Sequence, residues 1–296
     1  MNIVCIGGGL GNQMSQYAFY LSQKAKKKCI NLYQIRRKSE HNGYELRCLF
    51  NVLDEKPFPD IIVRFVRKLR VFHNRHTWKY IISAITNSLR LIGINIVLEP
   101  QNYQFYKKNL SCKRGLNIFY GVFQSEKYFK HNEKQIRETF RFDVFKLNDL
   151  SKECLSTIAQ ANNSVSIHIR RGDFINAGHI EKWGKICTTE YYNNAIAYIS
   201  ERVQDPVFFV FSDDIAWSKE NLNVTNPVFV EHNKGNDSWQ DMFLISQCKH
   251  HINANSSFSW WGAWLGENKD KIVVVPQKFI STCETPDIYP EEWIKI

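Results

Sequence analysis

The stretch Val165 to Asp173, VSIHIRRGD, sets a histidine, two arginines and an aspartate side by side at the end of an apolar run. A guanidinium offers a planar fork of donors that matches phosphate oxygens, and a carboxylate next to it can take up a proton. Val165, Ile167 and Ile169 alternate with Ser166, His168 and Arg170, so a strand of period two sends the aliphatics to one face and His168 with Arg170 to the other. The run stops at Gly172, which places the charges at the strand's C-terminal end, the edge where open α/β sheets bind ligands. Alone, a pair of arginines reads as ordinary surface ion pairing. Three further stretches change that reading.

At the N-terminus, Asn2 to Ile6 is a short apolar run followed by Gly7, Gly8, Gly9, Leu10 and Gly11, then a helical pattern through SQYAFYLSQKAKKK. Strand, glycine loop and helix in that order let backbone approach a ligand and turn free N–H groups toward a phosphate. As a dinucleotide fingerprint it is imperfect. Gly7 and Gly9 fit, Asn12 occupies the third glycine position, and no clear second strand ending in Asp or Glu follows. A tight structural turn and a ligand loop fit the spacing equally well. Val207 to Phe211, VFFVF, is a buried strand that delivers Ser212, Asp213 and Asp214 to the ligand edge. HHINAN delivers Ser256, Ser257, Phe258 and Ser259 to the start of the helix WWGAWLG, where hydroxyls and N–H groups can hold a phosphate or simply cap the helix.

The elements needed to position these residues follow the same α/β rhythm. Thr188 to Arg202 reads as a helix capped by Thr188 or Thr189, Val228 to Glu231 as a short strand, and Lys271 to Pro276 as another. Ser238 to Asp241 resembles a capping box, which makes a structural role the first reading of Asp241. Strands alternating with helices from Ser164 to Pro276 predict a parallel, doubly wound domain. Tyr120 to Phe129 reads as a strand turning into a helix with Ser125 as its cap. The polar segment Asn148 to Ser151 is the candidate boundary, giving domains 1–150 and 151–296. Between Ile61 and Leu98 there is no Asp or Glu, while Arg64, Arg67, Lys68, Arg70, Arg75, Lys79 and Arg90 all fall inside. Ile61, Phe65, Leu69 and Phe72 recur there at helical spacing, predicting a basic amphipathic helix that either faces solvent or lies on anionic lipid.

With 296 residues, 44% hydrophobic and 14% aromatic, the chain can bury two cores. No charged leader precedes the first apolar run and no apolar stretch reaches the roughly 20 residues of a bilayer span, so a cytoplasmic protein is expected. The eight cysteines are scattered without a CxxC pair and read as reduced thiols. A net charge of +10 favours an anionic partner, whether nucleotide, nucleic acid or membrane surface. A nucleic-acid-binding protein would explain the charge, yet no helix-turn-helix, zinc-finger or RNP-like pattern is present. A nicotinamide oxidoreductase would explain the glycine loop but not the missing acidic ribose partner.

Taken in order, GGGLGNQMSQYAFY, SIHIRRGD and NSSFSWWGAWLG resemble glycosyltransferase family 11, the α-1,2-fucosyltransferases, and the likeness runs from Met1 to about Pro276. The resemblance implies a GT-B architecture, two Rossmann-like domains facing a central cleft, with an N-terminal acceptor-side domain and a C-terminal GDP-fucose-binding domain. It implies GDP-fucose as donor, the 2-hydroxyl of a terminal β-galactoside as acceptor, inversion at the transferred carbon, no metal and no further cofactor. A related transferase using another GDP-deoxyhexose or another acceptor position is the alternative. Carried over by motif, Arg170 contacts the β-phosphate, His168 lies by the nucleotide, and Asp213 accepts hydrogen bonds from guanine. Ser256 and Ser257 stand near the phosphates, and Gly9, Gly11, Asn12 and Gln13 form the N-domain loop toward the donor. Arg171, on the other strand face, is grouped with the donor-binding residues and assigned to structure or the cleft rim. Among Asp173, Glu181 and Asp237, Asp173 is chosen as general base because it ends the motif strand, with holding Arg170 as its other reading. The partners expected are GDP-fucose and a glycan acceptor, which could be lipid-linked, with peripheral contact to an anionic membrane and no nucleic acid.

Overall fold

The computed structural model describes residues 1–23, 28–31, 42–52, 60–73, 78–99, 103–110 and 114–296. The chain divides into two units. One holds Met1–Arg141 with Pro286–Ile288, the other Phe142–Thr285 with Tyr289–Ile296.

The first unit is built on four parallel strands in the order β2-β1-β4-β3: β1 Asn2–Cys5, β2 Lys28–Asn31, β3 Ile94–Leu98 and β4 Leu116–Tyr120. Its helices are α1 Leu10–Ser22, α2 Leu46–Leu49, α3 Asp60–His73, α4 Lys79–Leu91 and α5 Glu133–Thr139. Ile3, Cys5, Ile118 and Tyr120 face Val66 of α3, so the period-two face of the sheet meets the apolar stripe of the helix. On α1, Phe19 lies stacked against Phe123 at 4.0 Å and edge-on to Tyr128 at 5.3 Å.

Several expectations change here. A second strand does follow the glycine loop, though it ends in Asn31 rather than an acid. Four residues after a lysine-rich run gave too little pattern to find it. The helix begins at Leu10, directly after Gly9, so Gly11, Asn12 and Gln13 lie inside its first turn. After β4 the chain makes two short 3₁₀ turns instead of a helix, and Ser125 caps nothing: its hydroxyl is buried without a hydrogen-bond partner. The helix expected from Ile61 is present, and α4 and β3 also lie within the acid-free stretch. Arg75, Cys112 and the lysines at 24, 26 and 27 lie outside the described residues.

The second unit carries six parallel strands in the order β10-β9-β8-β5-β6-β7: β5 Asn163–Ile169, β6 Pro206–Ser212, β7 Val228–Val230, β8 His250–Ile252, β9 Val273–Val275 and β10 Ile294–Lys295. Its helices are α6 Asp149–Gln160, α7 Thr189–Ser200, α8 Ile215–Asn221, α9 Trp239–Gln247 and α10 Ser257–Leu265. Val165, Ile167, Ile169, Val210 and Ile252 pack against Tyr192, Ala195, Ile196 and Ile199 of α7, as the alternation predicted. Thr188 is the cap of α7, its hydroxyl accepting from the Tyr191 amide at 3.2 Å. α10 is buried on nearly every side, with Trp260, Trp261 and Trp264 in mutual ring contact. The expected capping box at Ser238 does not form. Ser238 makes no side-chain cap, and Asp241 instead accepts from Asn233 Nδ2 at 2.8 Å.

Among the described residues no helix is long and apolar enough to cross a membrane. Each of the two units is thus α/β, built on a parallel sheet.

Candidate active site

In the second unit the site grows from the register of β5 against β6. Ile169 pairs with Ser212, so the residues that follow each strand, Arg170 and Asp213, leave the sheet side by side. Arg170 Nη1 meets Asp213 Oδ2 at 2.9 Å and its Nη2 meets Asp173 Oδ1 at 2.6 Å, a clamp on both arms of the fork. About a third of the Arg170 side chain stays exposed, and both carboxylates hold it as ion pairs, Asp173 Oδ1 being buried without a hydrogen-bond partner, so the guanidinium keeps N–H donors for a ligand. The close packing depends on Gly172, where a Cβ would stand 2.9 Å from Asp213 Oδ2.

Arg171 goes the other way, as the alternation requires. Its Nε donates to Asp214 Oδ2 at 3.1 Å and its guanidinium lies 4.2 Å from the Trp217 ring centroid. Asp214 in turn caps α8 by accepting from the Trp217 amide, so Arg171 is tied through Asp214 to the start of α8. The Arg171 amide donates to Asp213 Oδ1 at 2.7 Å. Asp213 is thus committed to both arginines, Oδ1 by a hydrogen bond and Oδ2 by an ion pair, and its oxygens retain lone pairs.

His168 is 7% exposed and stacks on Phe258, in the first turn of α10, at 5.5 Å. Burial, reinforced by the charge on Arg170, depresses its pKa to about 3, so the ring is neutral. Its Nδ1 is buried with no hydrogen-bond partner. An orphaned polar atom at a ligand edge is costly unless something arrives to satisfy it. Ser256 is the cap of α10, accepting from the Phe258 amide at 3.3 Å, and Ser257 opens the helix half-buried. The His168–Phe258 stack therefore joins the two serines, the helix start and the motif strand in one place. Glu181 pairs with Lys185 at 2.6 Å on the surface, and Asp237 accepts from Gln240 at 3.2 Å. Neither of these two acids contacts Arg170. Among the described residues no group of three or more His, Cys, Asp or Glu side chains has the arrangement of a metal site.

The N-domain residues lie in the first unit, at the ends of β1 and β4, where the strand order reverses. A cavity of about 120 Å³ is lined there by Gly7, Gly8, Asn12, Arg70, Tyr120 and Gly121 among others. Gly8 has φ +80, a conformation glycine adopts without strain, and the Asn12 amide lies against its backbone. Asn12 lines the cavity; Gly9 is the helix cap position and Gly11 is buried in the first turn. Gln13 is fully spent: its amide nitrogen donates to Gly8 O and Gly43 O, and its oxygen accepts from the Glu45 amide. It is a strut for the loop.

Two residues to which the sequence assigned no place in a site shape this cavity. Arg70, from α3, lies 5.3 Å from the Tyr120 ring centroid and lines the wall. Glu99, 3% exposed, accepts from the amides of Val122 at 2.5 Å and Phe123 at 2.8 Å, fixing the turn after β4. Burial raises its pKa to about 7 against the opposing pull of those amides and of Arg70. Only the break of the basic stretch at Glu99 could have drawn notice to it.

A family model described as Glycosyl transferase family 11 matches residues 1–296, and the chain belongs to that family. An Escherichia coli protein named alpha-1,2-colitosyltransferase is 34% identical over 298 residues, covering 98% of this chain and 97% of that one. The Escherichia coli O-antigen biosynthesis glycosyltransferase WbnK is 32% identical over 311 residues, covering 99% of each. Human galactoside alpha-(1,2)-fucosyltransferase 1 is 25% identical over 185 residues, 57% of this chain and 49% of that one.

Proposed function

We propose that this glycosyltransferase moves a 6-deoxyhexose, L-fucose in the first instance, from its GDP-linked donor to the 2-hydroxyl of a terminal β-galactoside, with inversion. The observation that carries the reading is Arg170, pre-aimed by two carboxylates at the strand end where the neutral, unpartnered His168 and the start of α10 also converge. As the acceptor oxygen bonds to C1 of the sugar, the bond from C1 to the β-phosphate oxygen breaks and negative charge gathers on the departing GDP. Arg170 and the free N–H groups of the first turn of α10 stabilise that charge without having to reorganise. The remaining lone pairs of Asp213 suit the N–H edge of guanine, and His168 Nδ1 is available to the same nucleotide. Asp173 is ion-paired with Arg170 on the Oδ1 side, and its Oδ2 takes the acceptor proton. With these cations and dipoles in place the reaction proceeds without a divalent metal.

The 34% identity to a colitosyltransferase favours a second reading in which the donor is a GDP-linked dideoxyhexose. Purified protein should be offered GDP-fucose and GDP-colitose with a β-galactoside, and the product linkage read by NMR. Transfer from one donor with an α-1,2 linkage supports the proposal and names the sugar. No transfer from either, with no GDP binding by calorimetry, refutes it. The same assay after EDTA treatment and desalting should retain its rate. A fall to background restored by Mn²⁺ or Mg²⁺ would refute the metal-free reading.

A further inference from the structure

α4 has two apolar sides. Ile82 is buried, and Ile85 and Leu89 on the same side are half-buried. At 3.6 residues per turn, Tyr80, Ala84 and Leu91 fall on the opposite side, while Ile81 and the following Ile92 fall next to Ile85, at the border of the buried side. Tyr80 is 78% exposed, Leu91 89%, Ile81 50% and Ile92 71%, so the apolar surface runs from the border round to the outer side. α3, which touches α4, turns Val66 and Leu69 inward and leaves Ile61 and Phe65 exposed beside Arg64, Arg67 and Lys68. A surface helix of a globular protein ordinarily keeps its outward face polar, and a run of exposed large apolar side chains marks an interaction surface.

The charge around this surface selects the partner. No Asp or Glu occurs from residue 61 to residue 98. A second copy of the chain docked by a two-fold axis would bring this basic patch against itself, an arrangement of like charges. A nucleic acid would satisfy the arginines but has nothing for Leu91, Ile92 and Ile81. An anionic lipid surface offers phosphate at one level and hydrocarbon just beneath it.

We propose that α3 and α4 seat the protein on an anionic membrane surface. Ile81, Leu91 and Ile92 enter the boundary between headgroups and acyl chains while Arg64, Arg67, Lys68 and Arg90 meet the lipid phosphates. Arg70, on the same α3, lines the cavity of the glycine loop. That cavity then opens from a helix held at the lipid surface, a placement suited to acceptors carried on lipid. The binding itself stands independently of the sugar chemistry proposed above.

Flotation of the whole protein with phosphatidylglycerol-containing vesicles and with pure phosphatidylcholine vesicles, at low and high salt, tests this. Binding should be confined to the anionic vesicles and should weaken strongly in 1 M salt, where screening acts within about 3 Å. Neutralising Arg64, Arg67 and Lys68 to Ala should weaken binding by on the order of 100-fold, taking about 1 kcal/mol per charge near the surface. Ile81→Asp with Leu91→Asp, both at exposed positions, should abolish flotation while far-UV circular dichroism and transfer to a water-soluble acceptor stay unchanged. No flotation at low salt overturns the proposal. So does flotation untouched by the Asp pair, or binding to single-stranded RNA as tight as to the anionic vesicles. A dimer in sedimentation that the Asp pair dissolves would likewise overturn it, in favour of self-association.

Discussion

Arg170 and Arg70 each stand at the C-terminal edge of a parallel sheet, and they are held in opposite ways. Arg170 is gripped at both arms by carboxylates and keeps about a third of its side chain exposed. Arg70 rests over an aromatic ring, and the acid that feels its charge, Glu99, is buried and engaged by backbone amides. The first arrangement fixes the direction of a fork before any ligand arrives. The second leaves a cation whose direction a ligand can still choose. Fixed direction suits stabilisation of charge at a reacting centre, where reorganisation costs rate. A cation beside a cavity suits recognition of hydroxyls or carboxylates on an incoming sugar.

Removing the gripped arginine should have the largest effect. Arg170→Ala is expected to lower kcat by 10² or more with the fold intact, the scale seen when a preorganised donor is lost. Arg170→Lys should recover little, because a lysine cannot satisfy Asp173 and Asp213 together. Near-normal turnover in Arg170→Ala at saturating donor would break the contrast outright. Asp213→Ala should weaken binding of the GDP-linked donor by about 1–3 kcal/mol, through lost guanine contacts and a loosened Arg170. Calorimetry with GDP measures it, and an unchanged affinity would remove Asp213 from the donor site. Arg70→Ala should be milder, raising KM for the acceptor less than about tenfold with kcat kept, since the binding removed is common to the ground and transition states. A loss in kcat equal to that of Arg170→Ala would erase the distinction between the two arginines.

The smallest effect sharpens the comparison through pH. In the first unit burial raises Glu45 and Glu99, the latter to about 7. Their folded forms hold a proton that the unfolded chain releases near pH 4.5, so the stability they lend is lost as pH rises from there through about 7. In the second unit burial lowers His168 to about 3 and His251 well below its ordinary value. The unfolded chain takes up protons first, and stability is lost as pH falls from about 6.5 toward 3. Asp241, raised to about 7 in the same unit, opposes this in part. Of the eight tryptophans only Trp78 belongs to the first unit, so tryptophan fluorescence in urea follows the second. Its midpoint should fall between pH 6.5 and pH 4, while hydrogen exchange at β1 and β4 should quicken from pH 5 to pH 8 beyond the intrinsic rise. Parallel pH trends in the two units would contradict the assignment.

The alternation of Val165 to Arg170 was legible because a strand's period depends on neighbouring residues alone. The Asp173 arm of the grip on Arg170 was legible as one of its two readings, three residues away; the Asp213 arm was not, since it follows from Ile169 pairing with Ser212, a register set between segments over 40 residues apart. The same limit hid the role of Gln13. The family resemblance placed it in a loop toward the donor, whereas Gly43, far along the chain, takes its amide. Ser238 and Asp241 had the spacing of a cap, yet Asn233 offered Asp241 a better buried partner. β10 is only two residues long, too short for any periodicity, and exists because β9 has an open edge to pair with. The α/β rhythm of the second half survived because β5 alternates cleanly, β6 and β9 are continuous apolar runs, and α7, α8 and α10 between the strands begin at side-chain caps.

Pro286–Ile288 returns to the first unit after the chain has traced nearly all of the second. There the Asp287 carboxylate accepts from the Phe105 amide at 2.9 Å and pairs with Lys127 at 2.7 Å. During synthesis the first unit leaves the ribosome well before these residues are made, and domains generally fold in that order. The half that emerges first thus remains unlatched while the second sheet is assembled, and residues translated almost two hundred codons after Phe105 close it. Cutting the gene between the units would deliver an N-terminal piece without its latch, so the two halves are better exchanged between relatives with Pro286–Ile288 counted as part of the first.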